Sequence, residues 1–170
     1  MIAPGEALGI AVQVTITLAG FTGVVAVFGT NPVHEWSRLN RLRLRLLLTM
    51  SSIPVALCLI PLVLLTTGIR QTVIWRAVSV AAVFAFLAAA VMAQRAMTRV
   101  PASELSRAER STAIFYTTAA VGAASIVLLV YNAILLGAFW PFFTAVVVSM
   151  LAALLQFVRL VFLRPGGTAE

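Results

Sequence analysis

The side chains that could carry out acid–base or nucleophilic chemistry are few in this sequence. It contains one histidine (His34), one cysteine (Cys58) and five acidic residues, all of them glutamate. A single cysteine cannot form an internal disulfide, and one histidine with one cysteine cannot supply the usual His/Cys metal cage. A Ser-His-Asp triad is excluded because the chain has no aspartate, although a glutamate variant is formally open. We therefore expect no metal, no cofactor and no enzymatic activity.

One enzymatic hypothesis stays open beside this expectation. Glu104 or Glu109 could act with His34 on a lipid at the cytoplasmic membrane surface, as a general acid–base pair would. The alternative is that both glutamates pair with the neighbouring Arg107 and Arg110 on a solvated surface, which the usual behaviour of surface charges favours. A lipid-acting membrane enzyme therefore stays open as a hypothesis, and it is less favoured than the two given at the end of this section.

The composition predicts a membrane protein. Of 170 residues, 62% are hydrophobic and 10% are charged, and the mean hydropathy is +1.07. A soluble domain has roughly 45–50% apolar and about 25% charged residues. A small soluble fold buries only part of its apolar surface. A chain with this many apolar residues therefore requires lipid around it.

Five apolar segments are each long enough to cross a bilayer, for which about 20 residues are needed. They comprise residues 7–29, 46–67, 73–93, 113–136 and 142–162. The sequence therefore predicts an all-α, polytopic fold, a bundle of five transmembrane helices that forms a single domain over residues 1–170.

Proline and glycine mark two irregularities within this bundle. Pro54 and Pro61 lie inside the second helix, where each removes a backbone hydrogen bond, so they predict a kink or hinge. Ordinary packing of a kinked helix is the alternative to a functional hinge. Residues 137–141, which begin with Gly137 and end with Pro141, predict a tight hairpin between helices 4 and 5.

The arginines predict the orientation. Ten of the twelve fall on one side of the five-helix topology, and basic loops stay in the cytoplasm. The N-terminus is then outside and the C-terminus cytoplasmic, and only Arg70 and Arg76 remain at the outer side.

A basic set precedes the second span and consists of Arg38, Arg41, Arg43 and Arg45. Asn31 and Pro32 predict the start of a short interfacial helix over about residues 32–40. Because these arginines flank the apolar core, we expect them to bind anionic lipid headgroups at the cytoplasmic face rather than to sense voltage.

The net charge of +7 does not indicate nucleic-acid binding, because the arginines occupy short segments between spans.

Two stretches resemble parts of small multi-spanning bacterial membrane proteins. The first is Gly-Phe-Thr-Gly-Val-Val-Ala-Val-Phe-Gly at residues 20–29. The second is Trp-Ser-Arg-Leu-Asn-Arg-Leu-Arg-Leu-Arg at residues 36–45, which leads into the span containing Pro54 and Pro61. The resemblance implies a bacterial cytoplasmic (inner) membrane, and it implies no activity and no site residues.

Small and polar residues line one face of four predicted helices, and such faces let membrane helices approach closely. These stripes are Gly9, Gln13, Thr17 and Gly20 in the first helix; Ser79, Ala82, Ala85, Ala89, Ala93 and Ala96 in the third; Thr118, Gly122, Ser125 and Asn132 in the fourth; and Ala145, Ser149, Ala152, Ala153 and Gln156 in the fifth. The first helix has a second small face opposite the stripe, so we expect it to contact neighbours on two sides.

Polar side chains from these stripes predict a candidate intramembrane polar cluster. Its members are Gln13, Thr17, Arg76, Ser79, Ser125 and Asn132. We expect Gln13 and Asn132 to face protein, since hydrocarbon offers their amides no partner. Hydrogen bonding between helices is the favoured interpretation, and a ligand site or solute path is the alternative.

These observations lead to two principal hypotheses about function. The first is a non-enzymatic integral membrane protein that assembles with itself or with membrane partners through small and polar helix faces. The second is a small oligomeric channel or permeation module, with the pore between chains and lined by the first or fourth helix.

Overall fold

The computed structural model describes residues 2–27, 38–98 and 112–162, and every regular element in these ranges is a helix. The five α-helices are α1 (Pro4–Val27), α2 (Arg38–Leu65), α3 (Gln71–Met97), α4 (Thr112–Tyr131) and α5 (Phe139–Phe162). One turn of π-helix, Asn132–Leu136, extends α4. The predicted all-α fold is therefore confirmed for the described part of the chain.

Four helical stretches are long and apolar enough to cross a membrane. They are Pro4–Phe21, Gln71–Arg95, Ala119–Leu136 and Phe139–Val158. The apolar part of α2, Ser51–Leu65, is shorter, because arginines occupy the beginning of that helix. The fold is that of a transmembrane helical protein, and the crossing over residues 46–67 stays a prediction.

α2 continues as one helix through Pro54 and Pro61. Both proline rings are buried within the bundle. Each ring leaves the carbonyl group four residues earlier without its usual helical N–H donor. The predicted kink at these prolines stays a prediction.

The start of α2 overlaps the end of the predicted interfacial helix. Residues 32–37 lie outside the described residues, as do His34, Glu104 and Glu109. α2 begins at Arg38 and runs on without a break, since no glycine or proline interrupts the chain between Arg38 and Pro54. The predicted interfacial helix over residues 32–40 stays a prediction.

The packing order sets α1 and α4 at different edges of the bundle. α1 packs chiefly against α2 and also against α5, whereas α4 packs against α5 and α3. The buried core lies between the helices and is formed by Leu8, Ala11, Leu57, Cys58, Ile74, Trp75, Val78, Ala82, Leu129, Phe142, Ala145 and Val146. Polar residues on α1 and α4 are consequently held apart.

Candidate intramembrane polar site

Asn132 lies at the start of the π-helical turn and has no exposed surface. Its Nδ2 group donates hydrogen bonds to Oγ of Ser79 at 2.8 Å and to the carbonyl oxygen of Ala138 at 3.0 Å. Its Oδ1 atom accepts a bond from the backbone N–H of Ala138 at 2.9 Å. The amide thus pairs with both backbone groups of Ala138 and reaches α3 through Ser79, so both of its N–H donors are used.

The turn that presents Ala138 depends on Gly137. This glycine adopts the left-handed conformation, with φ 58° and ψ 36°, and its N–H donates to the backbone carbonyl of Asn132 at 2.8 Å. A Cβ atom at this position would lie 2.5 Å from Cγ2 of Thr72 and 3.1 Å from the backbone oxygen of Thr72. Both the backbone conformation and the contact with α3 therefore require glycine.

The connection between α4 and α5 is shorter than the sequence indicates. Only Gly137 and Ala138 separate the π-helical turn from Phe139, the first residue of α5. Pro141, expected to open the helix, is its third residue. A proline is accommodated there because the N–H groups of the first turn have no helical acceptor in any case.

One face of α3 holds this connection in place. Thr72, Arg76 and Ser79 recur at helical spacing, four and three residues apart, and so share that face. Nη2 of Arg76 donates to the carbonyl oxygen of Leu135 at 3.4 Å. Nε of Arg76 lies 3.1 Å from the position that a Cβ on Gly137 would take. The guanidinium group therefore lies against the α4–α5 connection.

An aromatic cluster beside the polar site packs α3 against α5. The ring of Trp75, which is 3% exposed, lies 5.0 Å from the ring of Phe139 and 6.0 Å from that of Phe142, measured between centroids. Phe139 in turn stacks on Phe143 at 5.1 Å. Sequence reasoning missed Trp75, although its place beside Arg76 and four residues before Ser79 was a usable signal.

Ser125 is buried but does not join the Asn132 network. It lies on α4 seven residues before Asn132, about two helical turns away. Its hydroxyl donates to the carbonyl oxygen of Val121 in its own helix at 2.9 Å. Ser125 thus contributes a small, internally bonded side chain to the packed face.

Gln13 and Thr17 lie on a different surface from the rest of the predicted cluster. Both side chains are exposed, and the Thr17 hydroxyl donates to the backbone carbonyl of Gln13 at 2.8 Å. Thr15, on the opposite face of α1, is a buried polar residue. Its hydroxyl donates to the backbone carbonyl oxygen of Ala11 at 2.7 Å. The expectation that Gln13 faces protein is therefore wrong within the chain, because α1 turns its other face to α2 and α5.

The four stripes accordingly divide into two kinds. Those of α3, α4 and α5 are buried or half-buried wherever their side chains are described, namely at Ser79, Ala82, Ala85, Ala89, Ala93, Gly122, Ser125, Asn132, Ala145, Ser149, Ala152, Ala153 and Gln156. The side chains of Ala96 and Thr118 lie outside the described set. In the stripe of α1, by contrast, Gln13, Thr17 and Gly20 are exposed and Gly9 is half-buried.

No protein-family model, curated protein or solved structure matches this chain. The chemistry of the site therefore rests on its own geometry. Hydrogen bonds occupy the two N–H donors of Asn132, and its partners lie on α3 and at the start of α5. This arrangement favours a structural role between helices over a ligand site at Asn132.

Proposed function

We propose that the protein is a non-enzymatic integral membrane protein that associates with a second copy of itself through one surface of α1. This surface, called here the α1 outer face, comprises Gly9, Gln13, Thr17 and Gly20. The observation that carries the proposal is the exposed amide of Gln13 on a helix that is otherwise suited to lipid.

The depth of Gln13 is what makes its exposure costly. It is nine residues from the start of α1, which corresponds to about 14 Å along the axis, close to the middle of a bilayer core roughly 30 Å thick. Hydrocarbon offers the amide no hydrogen-bond partner. Contact with another protein surface supplies one.

A second copy of the chain is the occupant that this amide suits best. A glutamine side chain has both donors and acceptors, so two copies related by a twofold axis can bond to each other reciprocally. The arginine distribution predicts one orientation for all copies. Two α1 helices would then run parallel, with Gln13 opposite Gln13.

The glycines of the α1 outer face are not required by packing within the chain. A Cβ atom added at Gly9 or Gly20 would meet no atom within 4 Å. Small residues beside a polar one permit close approach of a second helix and strengthen the contacts between the two backbones. Gly9 and Gly20, about three turns apart, would bracket the Gln13 pair.

The other stripes do not offer such a surface, because the helices of the same chain already cover them. Association through α3, α4 or α5 would have to use exposed surfaces that consist mainly of apolar side chains, and lipid satisfies these equally well. The α1 outer face is therefore the surface through which we propose that two copies assemble.

We further propose that the chain crosses a bacterial inner membrane five times, with α2 as the second crossing and the N-terminus outside. Ten arginines on one side support this orientation. The helix of α2 begins at Arg38, so the basic set of four arginines would lie at the cytoplasmic end of a crossing, beside anionic headgroups.

The direct test is the monomer–dimer equilibrium in liposomes, measured by energy transfer between labelled copies at several protein densities. Gln13→Leu should weaken association about tenfold, which corresponds to roughly 1.4 kcal/mol, within the range for polar contacts between membrane helices. Gln94→Leu is the matched control, since Gln94 is also exposed but lies near the end of α3.

A second pair of variants tests the close approach. Gly20→Leu places a bulky side chain on the α1 outer face and should also separate the copies. Ala124→Leu makes a similar enlargement on the exposed side of α4 and should leave association unchanged. A wild-type protein that stays monomeric at all densities, or a Gln13→Leu protein that associates normally, contradicts the proposal.

The same exposed polar face supports a second candidate, a channel between several copies. Three or more α1 helices around an axis would direct Gln13 and Thr17 toward a pore. Liposomes containing the protein should then pass ions or small solutes, and Gln13→Leu should change the flux while leaving the fold intact. Flux equal to that of empty liposomes excludes the channel and leaves the dimer standing.

A further inference from the structure

We infer that Arg76, held against the α4–α5 connection, binds the phosphate group of an anionic phospholipid at the membrane surface. The site lies at the end of the bundle where α1, α3 and α5 begin. It depends on the chain being embedded in a membrane and does not depend on self-association through α1.

One hydrogen bond and the open space over Gly137 place the guanidinium group of Arg76. Nη2 donates to the carbonyl oxygen of Leu135 at 3.4 Å. Nε lies over Gly137, in space that any larger residue would fill. An arginine has five N–H donors, and the side chain is exposed, so donors remain for a ligand on the lipid side.

The charge of Arg76 has no counter-ion in the part of the chain that the structure describes. The one carboxylate in these residues is Glu6, which lies on α1, a helix that packs against α2 and α5. An unpaired cation within a membrane span is costly. Within the described residues no carboxylate supplies the compensating anion, and an anionic lipid headgroup beside the exposed side chain would supply it.

The depth of Arg76 matches a lipid phosphate. The apolar stretch Gln71–Arg95 starts five residues before Arg76, so this arginine lies about 7–8 Å along the helix from its start. Arginine side chains at such depth extend toward the headgroups. Phosphate oxygens accept paired hydrogen bonds from the planar guanidinium group, which favours arginine for this contact.

Aromatic side chains flank the site on the two helices that the connection joins. Tyr131 at the end of α4 is 50% exposed, and Trp140 in the first turn of α5 is 58% exposed. Tyrosine and tryptophan collect at the level of the headgroups, where their rings meet lipid and their polar groups meet water. Their positions indicate that Arg76 lies at that same level.

The experiment compares thermal unfolding in two kinds of lipid nanodisc, one of zwitterionic phospholipid alone and one that also contains an anionic phospholipid. Wild-type protein should gain several degrees in Tm from the anionic lipid. Arg76→Gln should lose most of this gain, and Arg76→Lys should keep part of it. Arg70→Gln is the matched control, because Arg70 is exposed at the same end but precedes α3.

Native mass spectrometry provides a second measurement on the same proteins. Anionic lipid should stay bound to the wild type and to Arg70→Gln, and its apparent affinity should fall about tenfold in Arg76→Gln. Inorganic phosphate and glycerol phosphate, added to protein in neutral detergent, should raise Tm little. Equal stabilisation by these soluble phosphates would show that the site takes free phosphate and would overturn the lipid assignment.

A purely structural Arg76 gives a different result. Arg76→Gln would then lower Tm by the same amount in both nanodiscs, because only the bond to Leu135 is lost. An Arg70→Gln protein that loses as much of the lipid-dependent gain as Arg76→Gln would show general charge attraction. Either result overturns the inference.

Discussion

At the scale of single residues, the side chain of Asn132 joins three parts of the chain. Its amide bonds to α3 through Ser79 and to both backbone groups of Ala138 before α5. The burial of Asn132 could be predicted from its type and depth, since lipid offers an amide no partner. Its pairing with Ala138 could not, because that contact depends on the left-handed conformation of Gly137 and on the π-helical turn.

Replacing Asn132 should be among the most destabilising single changes at this site. Asn132→Leu removes three hydrogen bonds and should lower the free energy of unfolding by about 2–4 kcal/mol. Ser79→Ala removes one and should cost about 1 kcal/mol. The two effects should be less than additive when combined, since they share a bond. The free energy of unfolding of the wild type, the two single variants and the double variant is compared by thermal unfolding in mild detergent.

Gln13→Leu, measured in monomeric protein, is the control for the double-mutant cycle of Asn132 and Ser79. Because Gln13 is exposed on α1 whereas Asn132 is buried at the end of α4 and bonded to α3, their effects on unfolding should add to within about 0.5 kcal/mol. A coupling between Gln13 and Asn132 as large as that between Ser79 and Asn132 would contradict the described arrangement.

Gly137 should tolerate no side chain. Gly137→Ala forces a Cβ against Thr72 and places alanine at positive φ, for which the conformation alone costs roughly 1–2 kcal/mol. The Tm in detergent should therefore fall by several degrees. Gly122→Ala is the matched control, because a Cβ there meets no atom within 4 Å. Equal effects at Gly137 and Gly122 would show that the connection is not held as described.

At the scale of helices, α1 shows where sequence reasoning reaches its limit. Periodicity identifies two faces of small and polar residues on this helix, one with Gln13 and one with Thr15. Which face packs inside the chain depends on the neighbours of α1, and a single sequence does not specify these. In α3, α4 and α5 the face predicted from the spacing is the one that packs inside the chain, wherever its side chains are described.

The parallel arrangement of α1 helices makes a prediction about Glu6. This exposed residue lies seven positions before Gln13, so it shares the α1 outer face. Two copies would bring two carboxylates toward each other and repel. Glu6→Gln should therefore strengthen association severalfold in the energy-transfer assay at neutral pH and low salt, and high salt should reduce the difference. Weaker association of Glu6→Gln would contradict a parallel pair.

At the scale of the whole molecule, the number of helices and the approximate position of each follow from hydropathy and length. The differences are at the helix ends. α2 begins within the arginine segment and α5 begins at Phe139, before its proline. Hydropathy marks where a chain can enter lipid, whereas a helix continues until a breaker or a cap ends it. Helix and membrane boundaries therefore need not coincide.

The orientation of the bundle can be tested by labelling introduced cysteines in intact cells. In a Cys58→Ala background, Thr67→Cys should react with a membrane-impermeant maleimide, because it follows α2 at the end that the proposed topology places outside. Thr98→Cys, at the other end of α3, should react only after the membrane is opened. Both positions are exposed, so access differs by side and not by burial. The reverse pattern would contradict an external N-terminus.

The measurement that tests self-association through α1 most directly is oxidative cross-linking of single cysteines along α1 in native membranes. Again in a Cys58→Ala background, cysteines placed one at a time over residues 9–20 should give dimers most strongly at positions 9, 13, 17 and 20. Positions 11 and 15, which are buried against the same chain, should give little. Cross-linking should follow this helical period and be strongest at position 13. Cross-linking that does not follow the helical period, or that is absent along all of α1, would contradict self-association through the α1 outer face.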